Sequence, residues 1–314
     1  MKKLAVILPC YNEEEVLPQT IKTMTKLLNN LIKDKKIDPL SCLCFVNDGS
    51  KDKTLEIIKK ASAKDSHVCG INLSRNFGHQ GAILAGMNEV AADVYVTIDA
   101  DLQDNPACIK EMLQKVDEGC DVVYGVRNSR STDTWFKRTT AVCYYKFLSL
   151  LGINIVFNHA DFRMMTKRAV ETLKQFPERN LFLRAIVPLV GFRSAKVYYD
   201  RTARQAGETK YPLHKMIALA WNGISNFSII PLRFVTFIGF FICFLSVIFL
   251  GYVVYRWSIK GTIVGWASLI TAVTVFSGVQ MVSLGIIGEY LAKVFIEVKG
   301  RPLYIVESKI GIEK

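Results

Sequence analysis

After Arg233 the chain runs for 22 residues, Phe234 to Tyr255, without a charge, and after Lys260 for another 28, Gly261 to Gly288. As a helix the first run is about 33 Å long, the thickness of a bilayer's hydrocarbon core. The second is long enough to span with tilt or with one end in the interface. Two adjacent runs of this length disfavour the alternative, a buried helical hairpin in a soluble protein. Two spans return the chain to the side it left. The short link Arg256–Lys260 has few charges and both flanks are basic, which places both termini in the cytoplasm. The expected organisation is a globular domain over 1–210, an amphipathic juxtamembrane helix over 211–232, and two transmembrane helices within 233–292 (about 234–255 and 262–288). A cytoplasmic tail over 293–314 completes it. In the juxtamembrane part Met216, Ile217, Ala220, Trp221, Ile224 and Phe227 recur at helical spacing, suited to a membrane interface or to packing on the first domain.

The formal net charge is +12, and only seven basic and four acidic residues follow Arg233. Most of the excess therefore lies in the first part, where it suits anionic lipid or phosphate partners. No nucleic-acid motif accompanies it, so nucleic acid is not an expected partner. Eight cysteines stand singly, without metal-ligand spacing, and read as reduced thiols. The opening Met1-Lys2-Lys3 and Leu4 to Leu8 imitate a signal peptide, but Pro9-Cys10-Tyr11-Asn12-Glu13 ends the apolar run too early.

In the first domain, apolar β-branched runs alternate with helical stretches. Strands are predicted at Leu4–Leu8, Leu43–Val46, Val68–Leu73, Val94–Ile98 and Val122–Tyr124, and helices at Glu14–Ile32, Lys53–Ala63, Gln80–Ala91 and Pro106–Glu118. This order predicts an α/β fold, a mostly parallel sheet with helices on both faces. Such sheets bind ligands beyond the carboxyl ends of their strands. Pro9 to Glu13, Asn47-Asp48-Gly49-Ser50, Ser74-Arg75-Asn76 and Asp99-Ala100-Asp101 each follow a strand, so four polar clusters converge on one rim.

Asp99 and Asp101 offer hard oxygen ligands suited to Mg2+ or Mn2+, ions that complete their shells with phosphate oxygens. Gln103 could add a carbonyl. Asp104, before Asn105-Pro106, suits a cap for the next helix. Asp48 could accept hydrogen bonds from a nucleobase or ribose, or tie up its own turn. Asn12 and Glu13 face a similar choice with capping of the first helix.

Taken in order, Pro9-Cys10-Tyr11-Asn12-Glu13, Asn47-Asp48-Gly49-Ser50, Arg75-Asn76-Phe77-Gly78, Asp99-Ala100-Asp101-Leu102-Gln103 and Asp161-Phe162-Arg163 resemble the motifs of family 2 inverting glycosyltransferases of the GT-A fold, which is Rossmann-like. The similarity is closer to polyprenyl-phosphate glycosyltransferases of the bactoprenol glucosyltransferase type, relatives of dolichol-phosphate mannose synthase. It extends into the two-helix tail through Gly278-Val279-Gln280, Leu284 to Tyr290 and Lys299-Gly300-Arg301-Pro302.

The resemblance implies a nucleotide-sugar pocket lined by Pro9, Tyr11, Glu13 and Asp48, with Asp99, Asp101 and Gln103 holding the metal and diphosphate. It departs at Asn105, where relatives often have proline, and at His159-Ala160, where many have a small-residue turn. A lipid phosphate acceptor is already an anion at neutral pH, so cations to hold it matter more than a base to activate it. By resemblance, Arg127 and Arg138 are expected at the acceptor phosphate and Arg204 at the donor diphosphate, while Arg130 and Lys137 read as surface charges. Asp161 is the carboxylate expected to orient acceptor or sugar in catalysis alongside Asp101, or else to pair with Arg163. His79 suits either a donor contact or an ordinary helix start.

Gln280, Gly285 and Gly288 suggest close helix contacts within the hairpin or between subunits of a homo-oligomer. The expected reaction is transfer of one sugar, most readily glucose, from a UDP-sugar to undecaprenyl phosphate at the cytoplasmic face of a bacterial inner membrane. N-acetylglucosamine, galactose or mannose are the alternatives for the sugar. A processive polysaccharide synthase would need a QxxRW motif that the chain lacks. A non-catalytic lipid-binding scaffold or flippase component would not need the intact Asp99, Asp101 and Gln103.

Overall fold

The computed structural model describes residues 1–128, 159–179, 182–200, 230–259 and 265–312. They fall into two compact units, one holding every described strand and the other the last two helices. In the first unit the order is β1 (Leu4–Cys10), α1 (Leu17–Lys33), β2 (Cys42–Asn47), α2 (Thr54–Lys64), β3 (Val68–Leu73), α3 (His79–Glu89), β4 (Val94–Thr97), α4 (Cys108–Asp117) and β5 (Val122–Arg127). There follow β6 (His159–Thr166), α5 (Lys167–Leu173), α6 (Leu183–Leu189), β7 (Ser194–Tyr199) and, at the end of the chain, β8 (Val306–Ile310).

The strands form one sheet in the order β7-β5-β6-β4-β1-β2-β3-β8. Parallel pairs join β1 to β2 and β4, β2 to β3, and β5 to β7. Antiparallel pairs put β6 between β4 and β5, and β8 on the edge of β3. The five predicted strands and four predicted helices are all present; β6, β7 and β8 are additions.

β1 shows why the sheet is covered on both faces. Every one of its residues is buried. Leu4, Val6 and Leu8 join a core with Leu17, Met24 and Leu28 of α1 and Ile109 and Met112 of α4. On the opposite face α3 lies so close that a side chain at Gly86 would collide with Ile7. Pro9 is tolerated in this central strand because β4 has ended, its last pair joining Ile7 to Thr97.

The segment 293–314 was expected to be a tail; instead, its later part is built into the sheet. Besides the β8 ladder, Asn72 donates to the Glu307 carboxylate, Tyr304 donates to Glu89 at 2.9 Å, and Lys309 pairs with Glu89 at 2.8 Å. Asn72 also accepts from Asn47 at 2.7 Å, which links the C-terminal strand to the residue before Asp48.

The second unit consists of α7 (Ile230–Ser258) and α8 (Trp266–Lys299). Their apolar side chains are widely exposed, among them Phe237, Phe240, Phe244, Met281 and Val282. Among the described residues one stretch, Val275–Lys299, is long and apolar enough to cross a membrane, and Leu232–Ile242 is a shorter apolar one. α8 ends on Gly300 at φ +58, a left-handed residue that suits glycine. Most of the expected juxtamembrane helix lies outside the described residues. Among the described residues, an added Cβ at Gly278, Gly285 or Gly288 would meet nothing within 4 Å.

Candidate active site

The carboxyl ends of β1, β2, β3 and β4 carry the predicted rim, and backbone-to-side-chain bonds knit its loops together. Asn12, at φ +54, donates its N–H to Ser50 Oγ and accepts from Lys51 N at 2.9 Å. Glu13 N donates to Thr54 Oγ1, so the loop after β1 is fixed to the loop after β2. Pro9 is buried and Tyr11 exposed at this edge. The first helix begins at Leu17, and no side chain caps it.

Asp48 is bound by a neighbouring loop, not by its own turn. Its carboxylate accepts from the N–H groups of Phe77 at 2.7 Å and Gly78 at 2.9 Å. Burial pushes its carboxyl up, and these two bonds oppose the shift without cancelling it. Gly49 makes this approach possible. A Cβ there would lie 2.5 Å from the Arg75 carbonyl carbon, and φ is +64.

Asp99 and Asp101 stand just beyond β4. Gln103 donates to Asp101 through both its backbone N–H, at 3.2 Å, and its side-chain amide, at 2.8 Å. Gln103 therefore orients Asp101. Burial pushes the Asp99 carboxyl up to about 6; His79 opposes this, and the charges of Asp104, Asp161 and Asp101 add to it. Such crowded negative charge, on a side chain still 38% exposed, suits a divalent cation. Among the described residues no three His, Cys, Asp or Glu side chains form a complete metal cage. A pair of carboxylates fits an ion that takes its other ligands from phosphate and water.

Asp104 does not cap α4. The turn there is held by Asn105, whose side chain accepts from Ala107 N at 3.0 Å. Asp104 is buried and receives Tyr199 Oη at 2.6 Å and Arg127 Nη2 at 3.1 Å on the same oxygen. Arg127, expected at an acceptor phosphate, is thus paired with a buried carboxylate. Burial alone would lower its pKa, but Asp104 and Tyr199 hold it above the ordinary value.

Asp161 lies near the start of β6 and is 7% exposed. The fully buried Arg163 pairs with it, as do Arg184 Nη2 at 2.9 Å and His79 Nε2 at 3.5 Å. His79 Nε2 also lies 3.5 Å from Asp99 Oδ1, so it bridges the two carboxylates. Burial would raise the Asp161 carboxyl, but His79, Arg163 and Arg184 hold it well below the usual range. A carboxylate so strongly stabilised as the anion is a poor proton acceptor. For His79, burial is outweighed by Asp161 and Asp99, and its pKa rises, favouring the protonated ring.

The fold thus brings Asp99, His79, Asp161 and Arg184 together. Arg184, on α6, was not legible as a site residue; its sequence neighbourhood carries no motif. Arg138 and Arg204, with Arg130 and Lys137, lie outside the described residues.

Residues 5–174 match the family model described as "Glycosyl transferase family 2". The chain is 48% identical to the uncharacterized glycosyltransferase YkoT of Bacillus subtilis, over 99% of this chain and 93% of that protein. It is 36% identical to the SfII prophage-derived bactoprenol glucosyl transferase of Shigella flexneri, over 98% of each chain. Identity to the bactoprenol glucosyl transferase of Shigella phage SfV is also 36%, over 98% of this chain and 99% of that protein.

Proposed function

Because the chain belongs to glycosyl transferase family 2 and is a glycosyltransferase, we propose that it transfers one sugar, glucose, from a UDP-sugar to undecaprenyl phosphate, with inversion. The observation that carries this reading is the row Asp99–His79–Asp161–Arg184, two carboxylates alternating with an imidazole and a guanidinium at the sheet rim. Near full-length similarity to bactoprenol glucosyl transferases supports the lipid carrier.

The chemistry follows from charge. A phosphate oxygen of the acceptor forms the new bond to the anomeric carbon. The carbon–oxygen bond to the diphosphate breaks, and its electron pair leaves with UDP. The acceptor is ionised at neutral pH, so no base is required, which agrees with the depressed pKa of Asp161. Pro9, Tyr11, Glu13 and Asp48 line the nucleotide side of the rim, with Arg204 at the diphosphate. Arg127 and Arg138 are assigned to the acceptor side, Arg127 in the setting Asp104 and Tyr199 impose. Asp99 and Asp101, the latter aimed by Gln103, would hold Mg2+ or Mn2+, which would supply charge neutralisation for a departing diphosphate.

α7 and α8 are read as a two-helix transmembrane hairpin that keeps the first unit and both termini on the cytoplasmic side of a bacterial inner membrane. The uncharged runs and the exposed apolar side chains support this. The open surfaces at Gly285 and Gly288 suit a second copy of the chain, hence a homo-oligomer. Purified protein incubated with radiolabelled UDP-glucose, Mn2+ and undecaprenyl phosphate should yield a labelled lipid. Absence of any lipid product across UDP-glucose, UDP-galactose, UDP-N-acetylglucosamine and GDP-mannose overturns the reading.

A further inference from the structure

We propose that Arg184 binds the phosphate of the acceptor, with Asp161 as the positioning residue that aims it; this rests on the reading of the acceptor as a polyprenyl phosphate. The backbone before Arg184 is held from two directions. Leu183 N donates to Gln80 Oε1 of α3 at 3.0 Å, and Leu183 O accepts from Arg163 Nη1 of β6 at 3.1 Å. The start of α6 is therefore clamped between a helix and a strand that also carry His79 and Asp161. Arg184 is anchored at its base and at its head, where Nε and Nη2 reach the two oxygens of Asp161 at 3.3 and 2.9 Å.

The position of the guanidinium shows what the anchoring serves. Arg163, 2% exposed, already supplies Asp161 with a buried counter-charge. Arg184 adds a second full positive charge to the same carboxylate, on a side chain 36% exposed at the rim. Other arginines described here are differently engaged. Arg127 pairs with Asp104, and the Arg75 guanidinium lies 4.0 Å over the Phe77 ring. Arg184 stands in the row with Asp99, His79 and Asp161 at the rim, its guanidinium beside the carboxylate that His79 bridges to Asp99.

A phosphate dianion approaching a diphosphate needs its own cation, separate from whatever neutralises the leaving group. A guanidinium held in two-point contact can exchange one contact for a phosphate oxygen and keep the other, so it stays aimed while it binds. It gives up no proton and remains charged throughout.

The test uses the full chain in detergent, with turnover measured against undecaprenyl phosphate at saturating UDP-sugar and Mn2+, and UDP affinity measured by calorimetry. R184Q should raise the KM for undecaprenyl phosphate roughly ten- to a hundredfold, the range for a lost hydrogen bond to a charged group. UDP affinity should stay within about twofold, since the proposed contact is made to the acceptor alone. R184K should recover part of the KM. An unchanged acceptor KM in R184Q overturns the proposal. So does a parallel loss of UDP affinity, which would put Arg184 on the donor diphosphate, or R184K and R184Q unfolding alike, which would make the Asp161 contact structural. Wild-type protein that binds UDP yet leaves undecaprenyl phosphate unmodified overturns the acceptor reading, and the role of Arg184 with it.

Discussion

Arg127 and Asp104 form an ion pair at 3.1 Å with the carboxylate 1% exposed, and Tyr199 donates to the same carboxylate oxygen at 2.6 Å. The pair ties the end of β5 and the end of β7 to the loop that carries Asp99, Asp101 and Gln103. Its consequence is mechanical as well as electrostatic: the loop of Asp99 and Asp101 is held by strands from the far half of the sheet.

Removing the tyrosine hydroxyl tests that tie most gently. Tyr199→Phe should lower stability by about 1.5–3 kcal/mol, the worth of a hydrogen bond to a buried charge. Asp104→Ala should cost more, about 3–5 kcal/mol, because it removes the buried carboxylate that Arg127 and Tyr199 share. Thermal unfolding followed by calorimetry measures both. A Tyr199→Phe protein that melts with the wild type would show that the hydroxyl carries no stability.

Asp101 and Gln103 should separate by degree. With Asp99 and Asp101 as the proposed ligands of the cation, Asp101→Asn would remove a charged ligand and should reduce turnover to background while the melting temperature holds. Gln103→Ala would leave that proposed ligand but free its orientation, and should weaken Mn2+ affinity by about 10–100-fold, as is usual for a residue that orients a ligand. Titration of Mn2+ against UDP binding reads both. Equal losses in the two variants would argue that Gln103 is itself a ligand of the ion.

Glu89 makes the docking of the C-terminal strand sensitive to acid. Burial alone would raise its carboxyl, but hydrogen bonds from Lys309 and Tyr304 hold it below the ordinary value. The folded pKa is thus lower than the unfolded one. The stabilisation is present above the unfolded value and is lost as pH falls through the folded one. Amide exchange across 306–310 should accelerate, relative to that in β1, as the pH is taken below about 4.5, the ordinary carboxyl value. Glu89→Gln should exchange at the faster rate already at pH 7. Exchange at 306–310 that ignores both changes would disconnect the strand from Glu89.

The strands and helices from β1 to β5 were legible because each central strand is an unbroken apolar run, as burial on both faces demands. β6 was not, since His159, Asp161 and Arg163 interrupt its pattern. Only the fold shows that they stay buried because Asp161 and Arg163 neutralise each other. β8 was hidden for another reason. Val306-Glu307-Ser308-Lys309-Ile310 is a short, charged edge strand, and its partner β3 lies more than 230 residues earlier. The rim carboxylates were visible in sequence through their places at strand ends. Arg184 was not, since its contact with Asp161 spans 23 residues and depends on how α6 is clamped.

Gly49 shows how closely the rim loops approach each other, and it can be tested against a second glycine. Both Gly49 and Gly78 have positive φ, +64 and +88, so a side chain strains the backbone at either. They differ in what surrounds them. A Cβ at Gly78 would meet nothing within 4 Å, whereas one at Gly49 would lie 2.5 and 2.6 Å from backbone atoms of Arg75 and Asn76. Backbone cannot swing aside as a flexible side chain can. Gly78→Ala should cost only the conformational strain, about 1–3 kcal/mol. Gly49→Ala should add an overpacking cost of about 1–3 kcal/mol. It should also push the loop after β3 away from Asp48, whose carboxylate is held by the N–H groups of Phe77 and Gly78. UDP affinity, corrected for the fraction folded, should therefore fall further in Gly49→Ala than in Gly78→Ala. Equal stability and equal UDP affinity in the two variants would mean that positive φ alone requires glycine at Gly49, and that the close approach of Arg75 plays no part in shaping the rim around Asp48.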